Sequence, residues 1–317
     1  MEYLTIALAL AFAVLVGRND GSPLVALAIR AMDRHAWLPP LVLATATVTI
    51  PLLGWSAVAD TLAGMFTTAA GSTASGLAVL LLATIITLLI STASGIPTSI
   101  TLAIVGATAG AQFALGAFES GRIVRVLVLA AAGPLVALLI ALVLTRIVTA
   151  TRGRHLERTI RWQRSAGLLA TAVAYGANDG QKLLAVFAVM FGVSAAGGAR
   201  DWRIIALVFV CFVAGTVWGM RRSVRALRQG VLHPKPYQVA STLWASAAAV
   251  LIGSALAAPV SMTQSITGGL IGSTSPHEWR RVRWEQGQRV LIAWLWTLPV
   301  AAIGGWLLTI LASAAAV

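Results

Sequence analysis

Of 317 residues, 58% are hydrophobic and 10% charged, against about 25% charged in an ordinary soluble domain, which excludes a soluble globular fold. The formal net charge of +13 sits almost wholly on Arg in short loops between apolar runs, which argues against a nucleic-acid-binding module. The lone Cys211, inside an apolar run, can make neither an intrachain disulfide nor a metal cluster.

Apolar runs recur at about 4–16, 38–59, 77–96, 100–118, 123–148, 165–176, 183–193, 204–220, 239–258 and 290–315. Several suit a hydrocarbon core of about 30 Å, which takes roughly 20 helical residues. The first is preceded by Glu2 and lacks a clear cleavage site, so it reads as a membrane helix and not as a signal peptide. Lys and Arg mark the cytoplasmic ends of spans, and they cluster at Arg30 and Arg34, from Arg146 to Arg164, from Arg221 to Lys235 and from Arg280 to Arg289. Threading the chain through these clusters places both termini outside. It also makes 77–118 and 239–274 segments that return to the side they left, with bends at Gly95-Ile96-Pro97 and Ala258-Pro259. Each half then crosses an odd number of times, the condition for two related halves to lie inverted in one bilayer. The expected fold is an all-α membrane protein, an inverted-repeat helical bundle with broken helices or hairpins at the midplane. Its parts are a first repeat at 1–150, a basic cytoplasmic linker at 151–164 and a second repeat at 165–317.

Paired motifs carry the repeat. Gly17-Arg18-Asn19-Asp20-Gly21 answers Gly176-Ala177-Asn178-Asp179-Gly180, and Pro97-Thr98-Ser99-Ile100-Thr101 answers Pro259-Val260-Ser261-Met262-Thr263. A Gly-flanked Asn-Asp inside an apolar run is expected to interrupt helix hydrogen bonding and to bury a carboxylate, and intramembrane ionisable residues mark functional sites. The bland alternative is that each Asn-Asp caps a helix. A Pro-x-Ser-x-Thr helix start places hydroxyls beside free N–H groups at the positive end of a helix dipole, a combination that binds anions; alone it is also a common N-cap with a Pro turn. Lys182 shares a helical face with Asn178 and Asp179 and either points into the site or snorkels to an interface. Arg18 is either a ligand or a helix-pair salt bridge. His35, His155, His233 and His277 fall in loops without metal-ligand spacing, and no P-loop, G-x-S-x-G or dinucleotide fingerprint occurs, so neither an enzyme nor an ATP-driven pump is expected.

These motifs resemble those of the PiT-type inorganic phosphate transporter family, through GANDGQK at 176–182, PTSITLAIVGA at 97–107, APVSMTQSITGGLIGS at 258–273 and the closing VRWEQGQRVLIAWLWTLPVAA at 282–302. The resemblance implies cation-coupled uptake of inorganic phosphate across the bacterial plasma (inner) membrane, with H⁺ or Na⁺ as coupling ion, no resident cofactor and no nucleic-acid partner. A homodimer in membrane lipid is compatible with it. Substrate contacts are expected at Thr98, Ser99, Thr101, Val260, Ser261, Thr263, Lys182 and Arg18. Coupling-ion contacts are expected at Asn19, Asp20, Asn178, Asp179 and Gln264, with sodium at Asp20 and Asp179. The chain departs from the family pattern at Ile100 and Met262 (Thr in the family), Leu102 and Gln264 (His), Arg18 (Ala) and Pro23 (Asn). Those departures leave sulfate or another oxyanion as the alternative substrate, and a channel or scaffold as the alternative class.

Overall fold

A computed structural model describes residues 2–31, 38–70, 74–93, 98–150, 156–194, 197, 200–229, 234–274 and 282–315. The described residues are helical with short turns. In chain order they form α1 (Glu2–Val16), a π-helical turn (Gly17–Gly21), α2 (Ser22–Ala31), α3 (Leu38–Leu52), α4 (Ala57–Ala70), α5 (Ala74–Ala93), α6 (Ile100–Ala114) and α7 (Ser120–Ala150). The second half forms α8 (Leu156–Tyr175), a second π-helical turn (Gly176–Gly180), α9 (Gln181–Met190), α10 (Trp202–Gln229), α11 (Pro236–Ala255), α12 (Met262–Gly272) and α13 (Trp284–Ala314). Among the described residues, six helices are long and apolar enough to cross a membrane, the first running from Tyr3 through the π-turn to Leu27. Large apolar side chains such as Leu135, Leu139, Leu295 and Leu311 stand exposed on α7 and α13, where lipid and not water is their solvent.

Three expectations are corrected. The Asn-Asp motifs do not interrupt their helices, because the backbone on either side of the first keeps α-helical angles (Val16 φ −61°, ψ −49°; Ser22 φ −66°, ψ −36°). They are wider π-turns, a local adjustment often found at functional sites. Neither motif is an N-cap, which removes the bland alternative. The glycines that suggested a break serve close packing instead: a Cβ at Gly176 would collide with the Ala46 carbonyl of α3, and one at Gly17 with the Phe212 carbonyl of α10. Second, the run read as one span over 38–59 is bent by 80° between α3 and α4, with Pro51 in the last turn of α3 and Gly54 at φ +89°. Helix α4 then buries Val58, Leu62 and Met65. Third, α8 begins at Leu156, inside the stretch read as a linker. The Gly95-Ile96-Pro97 bend and all four histidines lie outside the described residues.

The helix order of the first half recurs in the second apart from α4, and packing partners are exchanged between halves. The first π-turn packs on α10 and the second on α3, while α6 packs on α13 and α12 on α7. The last two contacts share one device. Gly106 and Gly110 of α6 admit the backbone carbonyls of Leu298 and Ala302, as Gly268 and Gly272 of α12 admit those of Pro134 and Leu138. Small residues four apart let helix backbones approach within membranes. Each short helix is thereby fastened along its length, which fixes where its N-terminus points.

Candidate functional site

The site is assembled where the second π-turn meets the starts of α6 and α12. Lys182, only 1% exposed, donates to Thr101 Oγ1 at 2.7 Å, Asp179 Oδ1 at 2.6 Å and the Val260 carbonyl at 2.7 Å. An ammonium has three protons, and all three are used. The snorkelling alternative is thus overturned. Lys182 ties the first half, through Thr101, to the bend before α12.

Asn178 grips the same bend. Its amide donates to Ser254 Oγ at 3.0 Å and to the Ala258 carbonyl at 2.9 Å, and its Oδ1 accepts from the Val260 N–H at 3.0 Å. In the first half Asn19 Oδ1 accepts from Thr92 Oγ1 at 3.5 Å, so each Asn bonds a hydroxyl near the end of a helix, α5 for Asn19 and α11 for Asn178. Ser99 and Ser261 are the N-caps of α6 and α12, accepting from the N–H of Leu102 at 3.3 Å and of Gln264 at 3.4 Å. The cap reading and the anion reading therefore coexist: the caps leave other first-turn N–H groups at buried helix starts. Ser261 and Thr263 share a hydrogen bond of 3.0 Å. Thr98, Ser99, Thr101, Val260, Ser261 and Gln264 are buried, and Thr263 is half-buried.

Asp20 and Asp179 are each 1% exposed and are electrostatic neighbours of one another and of Lys182. Asp20 Oδ1 and Asp179 Oδ2 have no hydrogen-bond partner among the described residues, and neither has the buried Tyr175 hydroxyl, which also neighbours both carboxylates. Two carboxylates against one ammonium leave the cluster one formal negative charge. The described residues hold no group of three or more His, Cys, Asp or Glu, so a transition-metal centre has no ligand set here, whereas the unpartnered oxygens are hard donors suited to a proton or Na⁺.

Arg18 does not join this cluster, contrary to expectation. Its guanidinium lies 4.0 Å from the Trp218 ring centroid on α10 and faces Arg222, which itself donates to the Thr92 carbonyl at 2.5 Å. Residues two apart on a helix point to opposite faces, so Arg18 and Asp20 diverge although nearly adjacent in sequence. Sequence reasoning also missed Gln181, whose Oε1 caps α4 by accepting from the N–H groups of Val58 at 2.8 Å and Ala59 at 3.0 Å. Its only signal was a polar residue within an apolar run. Tyr175, adjoining the second motif, was missed as well.

Paired π-turns and paired short helices around a buried cluster with one excess negative charge define an all-helical, multi-pass membrane protein. The family model described as "Phosphate transporter family" matches residues 154–305, nearly half of the chain. A probable low-affinity inorganic phosphate transporter of Mycobacterium tuberculosis is 34% identical over 67% of this chain and 54% of its own length. One of Bacillus subtilis is 27% identical over 71% of each. The chain thus spans about half the length of the mycobacterial relatives it matches. A solved structure titled "The sodium-dependent phosphate transporter" superposes with a TM-score of 0.75 over 99% of both chains at 15% identity, a likeness of fold.

Proposed function

We propose that this protein is a cation-coupled symporter that imports inorganic phosphate across the bacterial plasma membrane. The observation that carries the coupling is the pair of unpartnered carboxylate oxygens at Asp20 and Asp179 beside a lysine whose protons are all committed. With one negative charge uncompensated, an oxyanion meets repulsion until a proton or Na⁺ neutralises the cluster. Anion and cation affinities are then linked reciprocally. The starts of α6 and α12, with Ser99, Thr101, Ser261 and Thr263, supply hydroxyl and N–H donors of the kind that receive phosphate.

The test is uptake of radiolabelled phosphate by proteoliposomes under separately imposed proton and sodium gradients, with sulfate as competitor. Saturable uptake driven by one gradient and resistant to excess sulfate is expected. Efficient competition by sulfate would reassign the substrate, and absence of gradient-driven uptake would sink symport.

In this reading residues 1–150 and 165–317 lie inverted with respect to each other, with both termini outside. A single cysteine at position 225, in a Cys211→Ala background, is then expected to resist an impermeant thiol reagent in intact cells and to react in inverted vesicles. Ready labelling in intact cells would reverse the topology.

A further inference from the structure

A cavity of about 280 Å³ opens beside α4 and the start of α7, lined among others by Asp60, Thr61, Arg122, Arg125 and Leu256–Ala258. Its floor is the bend before α12. Ala258 lines the cavity, and its carbonyl accepts from Asn178 at 2.9 Å. Two residues on, Val260 accepts from Lys182 at 2.7 Å. The bend thus borders the cavity through Ala258 and bonds the site through the Ala258 and Val260 carbonyls. The same bend holds Ala257 at φ +57°, a left-handed conformation that costs a non-glycine residue of order 1 kcal/mol, and Thr61 Oγ1 pins its carbonyl at 2.9 Å.

The charges on the walls are not equivalent. Arg122 pairs with Glu119 at 2.9 Å, and Asp60 accepts from Ser56 Oγ at 3.0 Å. Arg125 has no acidic partner among the described residues. A guanidinium with no bonded carboxylate, in a recess with room for a tetrahedral ion, is a donor fork matched to an oxyanion, with Asp60 lining the same recess.

Resting on the phosphate-transport reading, we infer that this cavity is a first, low-affinity oxyanion station, in which Arg125 captures phosphate ahead of the buried cluster. Its role is capture and not turnover, because Arg125 touches none of the groups that tie the two halves together. Asp60, across the cavity, opposes the anion.

Two measurements test this. In initial-rate uptake of labelled phosphate, Arg125→Gln should raise KM about three- to tenfold, the scale of one partly exposed charge contact, with maximal rate unchanged within about twofold and a flatter ionic-strength dependence. Arg125→Lys should retain most of the wild-type KM, and Asp60→Asn should shift KM the opposite way, downward. An unchanged KM in Arg125→Gln, or a fall in maximal rate alone, overturns the inference. Independently of transport, a Gly64→Cys variant in a Cys211→Ala background places a thiol in the cavity wall beside Arg122. Millimolar phosphate should slow its labelling by an anionic thiol reagent, and that slowing should vanish with Arg125→Gln. Labelling indifferent to phosphate removes the station even if uptake is normal. Phosphate protection in a protein that shows no phosphate uptake would keep the station and sink the transport reading instead.

Discussion

Asp20→Asn and Asp179→Asn are each expected to abolish gradient-driven phosphate accumulation, by the two orders of magnitude or so that separate an accumulating from an equilibrating system when a coupling free energy of about 3 kcal/mol is lost. Each substitution keeps side-chain size and removes one charge, taking the cluster from one net negative charge to zero, so no cation is needed before the anion enters. Anion binding is expected to persist in both variants and to lose its response to pH and sodium. The two differ in stability. Asp20 makes no ion-pair contact among the described residues, so Asp20→Asn should insert and fold as the parent does. Asp179 receives the 2.6 Å bond from Lys182, so Asp179→Asn should also lower thermal stability. Binding of labelled phosphate to purified variants across pH and sodium decides the matter. Parental cation dependence in both would show that these carboxylates do not couple transport.

Much of this arrangement was legible in the residues. Most apolar runs became helices, because a membrane permits few ways to satisfy a backbone, and Lys182 joins the second Asn-Asp motif to Thr101 and to the Val260 carbonyl. What escaped the sequence was direction and distance. Arg18 stood next to Asn19 and Asp20 in sequence and turned out to face Trp218, because helical rotation separates immediate neighbours. Lys182 reaches Thr101 across 81 positions and Val260 across 78, spacings that no periodicity reveals. The Gly residues of the motifs suggested a broken backbone, while their lack of a Cβ is used to admit the carbonyls of α3 and α10. Asn178 looked like an ion ligand because Asn-Asp is a polar pair in an apolar run, yet its amide donors and its Oδ1 all serve the Ser254–Val260 bend. That leaves the neighbouring carboxylate as the group free to meet an ion. The cavity near Arg125 was invisible for a further reason: it is formed by three segments, about residues 60, 125 and 257, that carry no shared motif.

The second large effect is expected at Lys182. Replacing it with Met keeps most of the volume but leaves Asp179 Oδ1 without its partner, raises the cluster to two negative charges and removes the only bonds by which Lys182 joins Thr101 to the Val260 carbonyl. Breaking one side of a fully buried ion pair costs about 3–5 kcal/mol, a large fraction of the total stability of a typical protein. Lys182→Met should therefore lose uptake and show a marked fall in thermal stability in detergent. The double variant Lys182→Met, Asp179→Asn separates charge from linkage. It returns the cluster to one negative charge, carried by Asp20, and leaves no unpaired charge at position 179, so stability should recover beyond the sum of the single effects, a coupling measurable by a double-mutant cycle. Uptake should not recover with it, because the tie between α6 and the bend before α12 remains cut. If Lys182→Met is as stable and as active as the parent, the three hydrogen bonds of Lys182 hold nothing together. If the double variant regains uptake as well as stability, charge balance alone and not the bond between halves is what transport requires of this lysine.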